Sequence, residues 1–318
     1  MTGPLTDILS WFTIGPFTDG LAWFVIVLFA TGVLFDVAGH RDRARTVTVV
    51  AWAAFAGFWL VIAPNLAFGE DSLVQGLLSL VAVPACLYTG LVLYRGRDSL
   101  LVLSRAVAVM GLIYLPFTTI ELLKQPLIEH TTNQVERSLL LFGYDPIVVE
   151  GTSLGYDNAF IFPENERYLT EVVLACTGLG SMTIFTGLIA AIDAPARRKL
   201  LGLAIVIPVI YGLNIVRVTF ITLSHGLQWF ADQTWVLMLF ATDDPNRASF
   251  LLADRVLSQS LSVVALVAIA LALLRVLPEL VTIFDDVLYL LTGDEFDLAE
   301  EFGIDADPAD DPGMPADD

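Results

Sequence analysis

Positive charge, cysteine and histidine are all scarce in this chain of 318 residues. Lys and Arg number 16 against 35 Asp and Glu, a net charge of −19. So small a basic complement excludes the cationic footprint with which proteins engage nucleic acid. Charged residues of both signs make up only 16% of the chain, against about 25% in an ordinary water-soluble domain. The two cysteines, Cys86 and Cys176, both lie inside apolar runs, so a disulfide framework is not expected. Three histidines (His40, His130 and His225) and no HExxH leave no basis for a metal centre, and neither metal nor cofactor is expected. No Lys or Arg precedes Arg41. The first apolar run therefore lacks the basic flank of a cleavable signal peptide and is expected to persist as a helix.

Hydrophobic residues are abundant: 56% of the chain, with a mean hydropathy of +0.73. A membrane-crossing helix needs about 20 mostly apolar residues, and seven nearly uncharged runs meet or approach that length. They are 20–35, 46–64, 73–94, 99–120, 172–192, 200–223 and 256–274. The expected fold class is therefore all-α, a polytopic integral membrane protein with about seven transmembrane helices. Residues 1–278 read as one multi-helix transmembrane catalytic domain, 279–292 as an amphipathic interfacial helix and 293–318 as an acidic, disordered cytoplasmic tail.

Short cytoplasmic loops retain Lys and Arg. Arg41, Arg43 and Arg45, then Arg95, Arg97 and Arg105, then Arg197, Arg198 and Lys199, and finally Arg275 all fall on one side of this arrangement. That side is expected to be cytoplasmic, with the N-terminus outside and the C-terminus inside. The outer loops are then 65–72, 121–171 and 224–254, the last holding an uncharged stretch, 233–242, too short to span. The excess of acid, 14 of it from Glu279 onward, resembles the balance of proteins from extreme halophiles. The acidic tail is also a possible electrostatic handle for a basic partner.

An ionised side chain at bilayer depth costs at least about 2.5–3.5 kcal/mol, which makes an intramembrane Arg a functional candidate. Arg217 is the clearest case. It stands eighteen residues after Lys199, or roughly 27 Å along a helix at 1.5 Å per residue, and so near the outer face. Asn214, one turn earlier, shares its side of the helix. Arg255 begins the last span at the same depth, next to Asp254. Cys176 lies five residues beyond Glu171, within the small-residue context Leu174-Ala175-Cys176-Thr177-Gly178-Leu179-Gly180-Ser181. Small residues let a neighbouring helix or a substrate backbone come close, and cations nearby lower a thiol pKa and raise its nucleophilic fraction. Cys86 has no charge near it in sequence and reads as packing.

These residues resemble motifs of the archaeosortases, membrane relatives of the bacterial exosortases. The resemblance rests on Ala175-Cys176-Thr177-Gly178, on Asn214-Ile215-Val216-Arg217 and on Arg255 ahead of Leu257-Ser258-Gln259, and it covers about residues 46–274. The second motif follows the first by 41 residues and the third follows by 38. Exosortases carry His at the third position, so His225 is a weaker alternative to Arg255.

The resemblance implies a membrane cysteine transpeptidase with Cys176, Arg217 and Arg255 catalytic, and with Asn214, Thr177 and Gly178 binding or orienting substrate. The implied partners are secreted precursors, such as S-layer glycoproteins, ending in a Pro-Gly-Phe motif, a hydrophobic helix and a basic tail. A membrane lipid is the implied acceptor of the new C-terminus, and the implied site lies at the extracytoplasmic face of the cell membrane. An alternative reading is an anion-binding membrane transporter using Arg217 and Arg255. Replacing Cys176 separates the two, because transport survives that change and transpeptidation does not.

Overall fold

The structure, a computed structural model, describes residues 15–68, 73–163, 165–240, 242–295 and 298. Helices α1 (Pro16–Val37), α2 (Arg41–Phe68), α3 (Leu73–Tyr94), α4 (Leu100–Thr119) and α5 (Glu121–Leu141) lead into strands β1 (Ile147–Glu150), β2 (Asp157–Phe162) and β3 (Asn165–Glu171). After a 3-10 turn at Leu174–Thr177 come α6 (Leu179–Ala191), α7 (Ala196–Gly226), the short α8 (Trp235–Leu239), the long α9 (Pro245–Leu274) and α10 (Val281–Thr292). The acidic tail expected at 293–318 lies almost wholly outside the described residues.

Six of these helices, α1 to α4, α7 and α9, are long and apolar enough to cross a membrane. They arise where the sequence is uncharged for about 20 residues, because a backbone in lipid has to satisfy its own N–H and C=O groups. Their outward faces are bare hydrocarbon, as at Leu77, Leu78 and Val81 of α3 and Leu261, Val264 and Val267 of α9. Apolar exteriors on this scale need a non-aqueous surround. The protein is a multi-pass membrane protein.

The architecture is predominantly helical, as an all-α polytopic protein requires, with one small antiparallel sheet of β1, β2 and β3 in that order, in which Ile147 faces Ile161 and Phe160 faces Thr170. Two of the sequence-based expectations require correction. Residues 121–171, expected as a loop, are α5 followed by this sheet. The fifth expected span, 172–192, is only partly helical: α6 has 13 residues, too few to cross alone. Its first part instead leaves the sheet, with the Val172 N–H donating to the Asn158 carbonyl at 2.7 Å and the Asn158 side-chain amide returning a 2.7 Å bond to the Val172 carbonyl.

The chain divides into two compact units: 1–111 with 186–202 and 273–318, and 112–185 with 203–272. In the first, α1, α2 and α3 pack together, with Phe29 edge-on to Trp52 and the Trp52 indole donating to Ser104 at 2.9 Å. Three of the basic residues in and near its helix ends form ion pairs. Arg45 meets Asp98 at 2.8 Å, Arg105 meets Asp36 at 3.1 Å and Asp193 at 3.2 Å, and Arg97 meets the buried Asp286 of α10 at 2.8 Å while capping the Tyr289 ring.

In the second unit, α5 turns Ile128, Val135 and Leu139 onto Tyr156, Phe160 and Phe162 of the sheet region and onto Val218 and Leu223 of α7. Period 2 in β2 and near-4 spacing in α5 and α7 aim these side chains at one core. Gly226 ends α7 against Phe162, whose ring atoms would lie 2.2 Å from any added Cβ.

Glu171, the last residue of β3, ties the loop between β1 and β2 to this scaffold. Its carboxylate accepts from the Thr152 N–H at 2.7 Å, the Thr152 hydroxyl at 2.5 Å and the Ser153 hydroxyl. Partial desolvation opposes ionisation, but these bonds outweigh it and hold the carboxyl below its ordinary range. A depressed carboxylate pKa adds stability above the unfolded value, and that stability is lost as pH falls through the folded one. Protection of the Thr152 amide against hydrogen exchange, relative to its intrinsic rate at each pH, is therefore expected to fall as the pH drops below the ordinary Glu value of about 4.3. Glu171→Gln should show the lower protection already at neutral pH; equal protection in both proteins at neutral pH would rule the tether out.

Candidate active site

Cys176 does not sit inside a helix. It occupies the 3-10 turn Leu174–Thr177, with its N–H on the Val173 carbonyl at 2.8 Å. Thr177 closes the turn. Its hydroxyl donates to the Leu174 carbonyl at 2.7 Å and accepts from the Leu179 N–H at 3.3 Å. Gly178 then reverses the chain at φ 75° and starts α6. Glycine is needed there twice over: the angle is in the left-handed region, and an added Cβ would lie 3.1 Å from both Cβ and Cγ of Asn214.

Asn214 of α7 is buried, and its amide donates to the Cys176 carbonyl at 2.6 Å. It therefore fixes the backbone at Cys176. One turn on, Arg217 Nη2 donates to Asp254 Oδ1 of α9 at 2.8 Å. Arg255 Nε approaches the other oxygen of the same carboxylate at 3.4 Å. Asp254 and Arg255 belong to a π-helical stretch of α9, Leu251–Ser258; such wide turns in an otherwise α-helical element frequently mark functional sites.

A cavity of about 260 Å³ opens beside this group, lined at one end by Arg217, Asn214, Ala175 and Gly178 and further along by Ile210, Leu213, Leu266 and Ile269. Two residues flanking Cys176 thus line it. Tyr114, Ser181 and Ser262 add hydroxyls to a lining that is otherwise mostly apolar, the usual make-up of a site that binds an apolar segment and orients it through a few polar groups.

The Cys176 side chain is half-buried and packs on the α5–sheet–α7 core. Burial raises its thiol above the ordinary value, whereas Arg217 and Arg255 pull it down and Asp254 pushes it up. From sequence, two nearby cations are expected to depress it. With one carboxylate shared between them, their net effect is smaller than the desolvation, and the resting group is the neutral thiol.

His225, the weaker alternative, is elsewhere in the unit. Its Nδ1 meets the Thr170 hydroxyl of β3 at 3.0 Å, and its ring lies edge-on to Tyr168 and Phe250. Like Cys176 and Arg255, it is not among the cavity-lining residues, but unlike Cys176 it has no immediate chain neighbour among them. Cys86 is buried in α3. Among the described residues no cluster of His, Cys, Asp and Glu is suited to a metal ion. In sequence Asp254 is simply the neighbour of Arg255; its bond to Arg217 spans 37 residues and leaves no local signal.

Gly178→Ala tests the turn. It is expected to displace Asn214 and to destabilise the turn by about 1–3 kcal/mol through positive-φ strain, read as a lower unfolding midpoint in detergent. An unchanged midpoint would show that the turn does not need glycine.

A family model described as transmembrane exosortase matches residues 16–242, ending before Arg255. Archaeosortase A of Haloferax volcanii is 46% identical over 321 residues, covering 96% of this chain and all of that protein. Archaeosortase A of Natronomonas pharaonis is 45% identical over 318 residues, 96% of each chain. No solved structure matches.

Proposed function

Because the chain belongs to the transmembrane exosortase family, with archaeosortase A proteins among its relatives, we propose that it is a membrane cysteine transpeptidase. It removes the C-terminal tripartite signal of secreted proteins, S-layer proteins among them, and couples the new C-terminus to a membrane lipid. The observation that carries this reading is that Asn214 and Arg217, which both line one cavity, are respectively bonded to the Cys176 carbonyl and to Asp254.

In this mechanism the precursor's helix lies beside the enzyme and places its scissile carbonyl at Cys176, which converts a bimolecular encounter into an oriented one. Sγ bonds to the carbonyl carbon. Arg217, with Arg255, stabilises the oxyanion, an effect that is strong where water is excluded. The C–N bond then breaks, the thiol proton leaves on the departing amine, and a thioester remains. A lipid nucleophile attacks the thioester, transfers its own proton to Sγ and releases the lipid-linked protein. The arginines act as cations throughout, since neither loses a proton at ordinary pH. Thr177 and Gly178 shape the turn that presents Sγ.

The positive-inside pattern of the loops supports placing this chemistry at the extracytoplasmic face, and the 14 acids from Glu279 onward suit the basic end of such a substrate. Intact mass of a secreted protein with a Pro-Gly-Phe tripartite tail, made with wild-type or Cys176→Ala enzyme, tests the reading. Loss of the C-terminal helix together with a lipid-sized mass gain, present only with wild type, is expected; processing that persists in Cys176→Ala overturns it.

A further inference from the structure

Two guanidinium groups share one carboxylate in the second unit. Asp254 takes Arg217 Nη2 on one oxygen at 2.8 Å and Arg255 Nε on the other at 3.4 Å. Arg217 comes from α7 and the other two residues from the π-helical part of α9, where neighbouring residues both serve the same site. In a regular α-helix adjacent side chains stand about 100° apart. Arg217 Nε is buried and has no hydrogen-bond partner among the described residues, which is costly to leave unmet. Arg217 also lines the cavity that Ala175 and Gly178, on either side of Cys176 in sequence, help to form.

We propose that Asp254 is the positioning residue of the site: its carboxylate locks Arg217 through Nη2 and Arg255 through Nε, leaving Arg217 Nε as the donor reserved for the acyl oxygen. The inference rests on the acyl-transfer reading above. A guanidinium presents its donors in a planar fork, so fixing one arm fixes the direction of the others. The carboxylate also sets the local charge. With it the trio carries one net positive charge; without it, two. Around Cys176 the charged groups are Arg217 from α7 and Asp254 and Arg255 from α9, with the Val173 backbone on the turn itself.

Removing Asp254 therefore has two opposite consequences. The guanidiniums lose their direction and turnover falls, while the uncompensated positive charge stabilises the Cys176 thiolate and makes the thiol easier to ionise. The experiment uses full-length Asp254→Asn in detergent, with two readouts. One is kcat and KM for a tripartite-tailed substrate. The other is iodoacetamide alkylation of each cysteine followed by mass spectrometry across roughly pH 6 to 11, a range that brackets the ordinary thiol value of about 8.5. Cys86, 5% exposed within α3, reports any unfolding.

A kcat at least tenfold lower, KM within threefold, a Cys176 alkylation midpoint moved to lower pH and Cys86 still unmodified are expected. Wild-type kcat, or an unmoved Cys176 midpoint with Cys86 protected, overturns the proposal. Should Asp254→Asn expose Cys86, Asp254→Glu carries the test, because it keeps a carboxylate within reach of both arginines. Processing at a tenth or more of the wild-type rate is then expected, and no processing with Cys86 covered overturns the proposal. The alkylation readout needs no substrate, so its failure is distinct from a failure of the transpeptidase reading, which Cys176→Ala reports.

Discussion

Cys176→Ala is expected to leave the precursor at its full mass, with processing down by at least about 10⁴-fold, the scale on which loss of a catalytic nucleophile is felt. Cys86→Ala is expected to process within twofold of wild type. The contrast comes from surroundings: Cys86 is buried in α3, whereas Cys176 is held by its own carbonyl on Asn214 and flanked by cavity-lining residues. Cys176→Ser should be as inactive as the alanine variant. It keeps the shape of the turn but offers a hydroxyl, and His225, the side chain best suited to activate one, is engaged with Thr170 on β3. Because burial holds the Cys176 thiol above its ordinary value, wild-type processing should rise with pH through and beyond neutrality as the thiolate fraction grows. Rates independent of pH over that range would mean that the nucleophile is already ionised or that chemistry is not limiting. A Cys176→Ser protein with wild-type turnover would remove the cysteine from the mechanism altogether.

The second large effect concerns Arg217. Arg217→Lys is expected to lower kcat about 10²–10³-fold, the cost of losing one oxyanion donor, with the protein still folded. An ammonium is a point charge without a fork. It can sit on Asp254 or reach the acyl oxygen, but it cannot direct one donor to each. A headgroup anchor would tolerate the exchange, because lysine snorkels as well as arginine. Turnover in Arg217→Lys within threefold of wild type, measured on the same tripartite substrate, would therefore reduce Arg217 to an anchor. Substrate transport that survives Cys176→Ala and is lost in Arg217→Lys would favour the anion transporter instead.

Much of this protein is determined by sequence alone, for a simple reason. In lipid every backbone N–H and C=O must be satisfied within its own segment, so an uncharged run of about 20 residues has one outcome, and 46–64, 73–94 and 99–120 lie within one residue of α2, α3 and α4 or inside them. Arg217 stands out in an otherwise uncharged stretch because an ion is costly at that depth, and Cys176 only through the depth it shares with two arginines.

Tertiary structure decided the rest. Strands of four to seven residues carry little signal of their own, and the sheet forms because Phe160 and Phe162 find a core made by α5 and α7, elements distant in sequence. That sheet draws residues 172–177 out of the expected helix and sets Cys176 on a turn. Asn214 could have served Arg217, its neighbour one helical turn away, yet it bonds the Cys176 carbonyl 38 residues back. Asp254 could have served Arg255 alone, yet its closest bond is to Arg217. A side chain's choice among partners depends on which helices pack face to face, and sequence spacing describes only the helix on which that side chain sits.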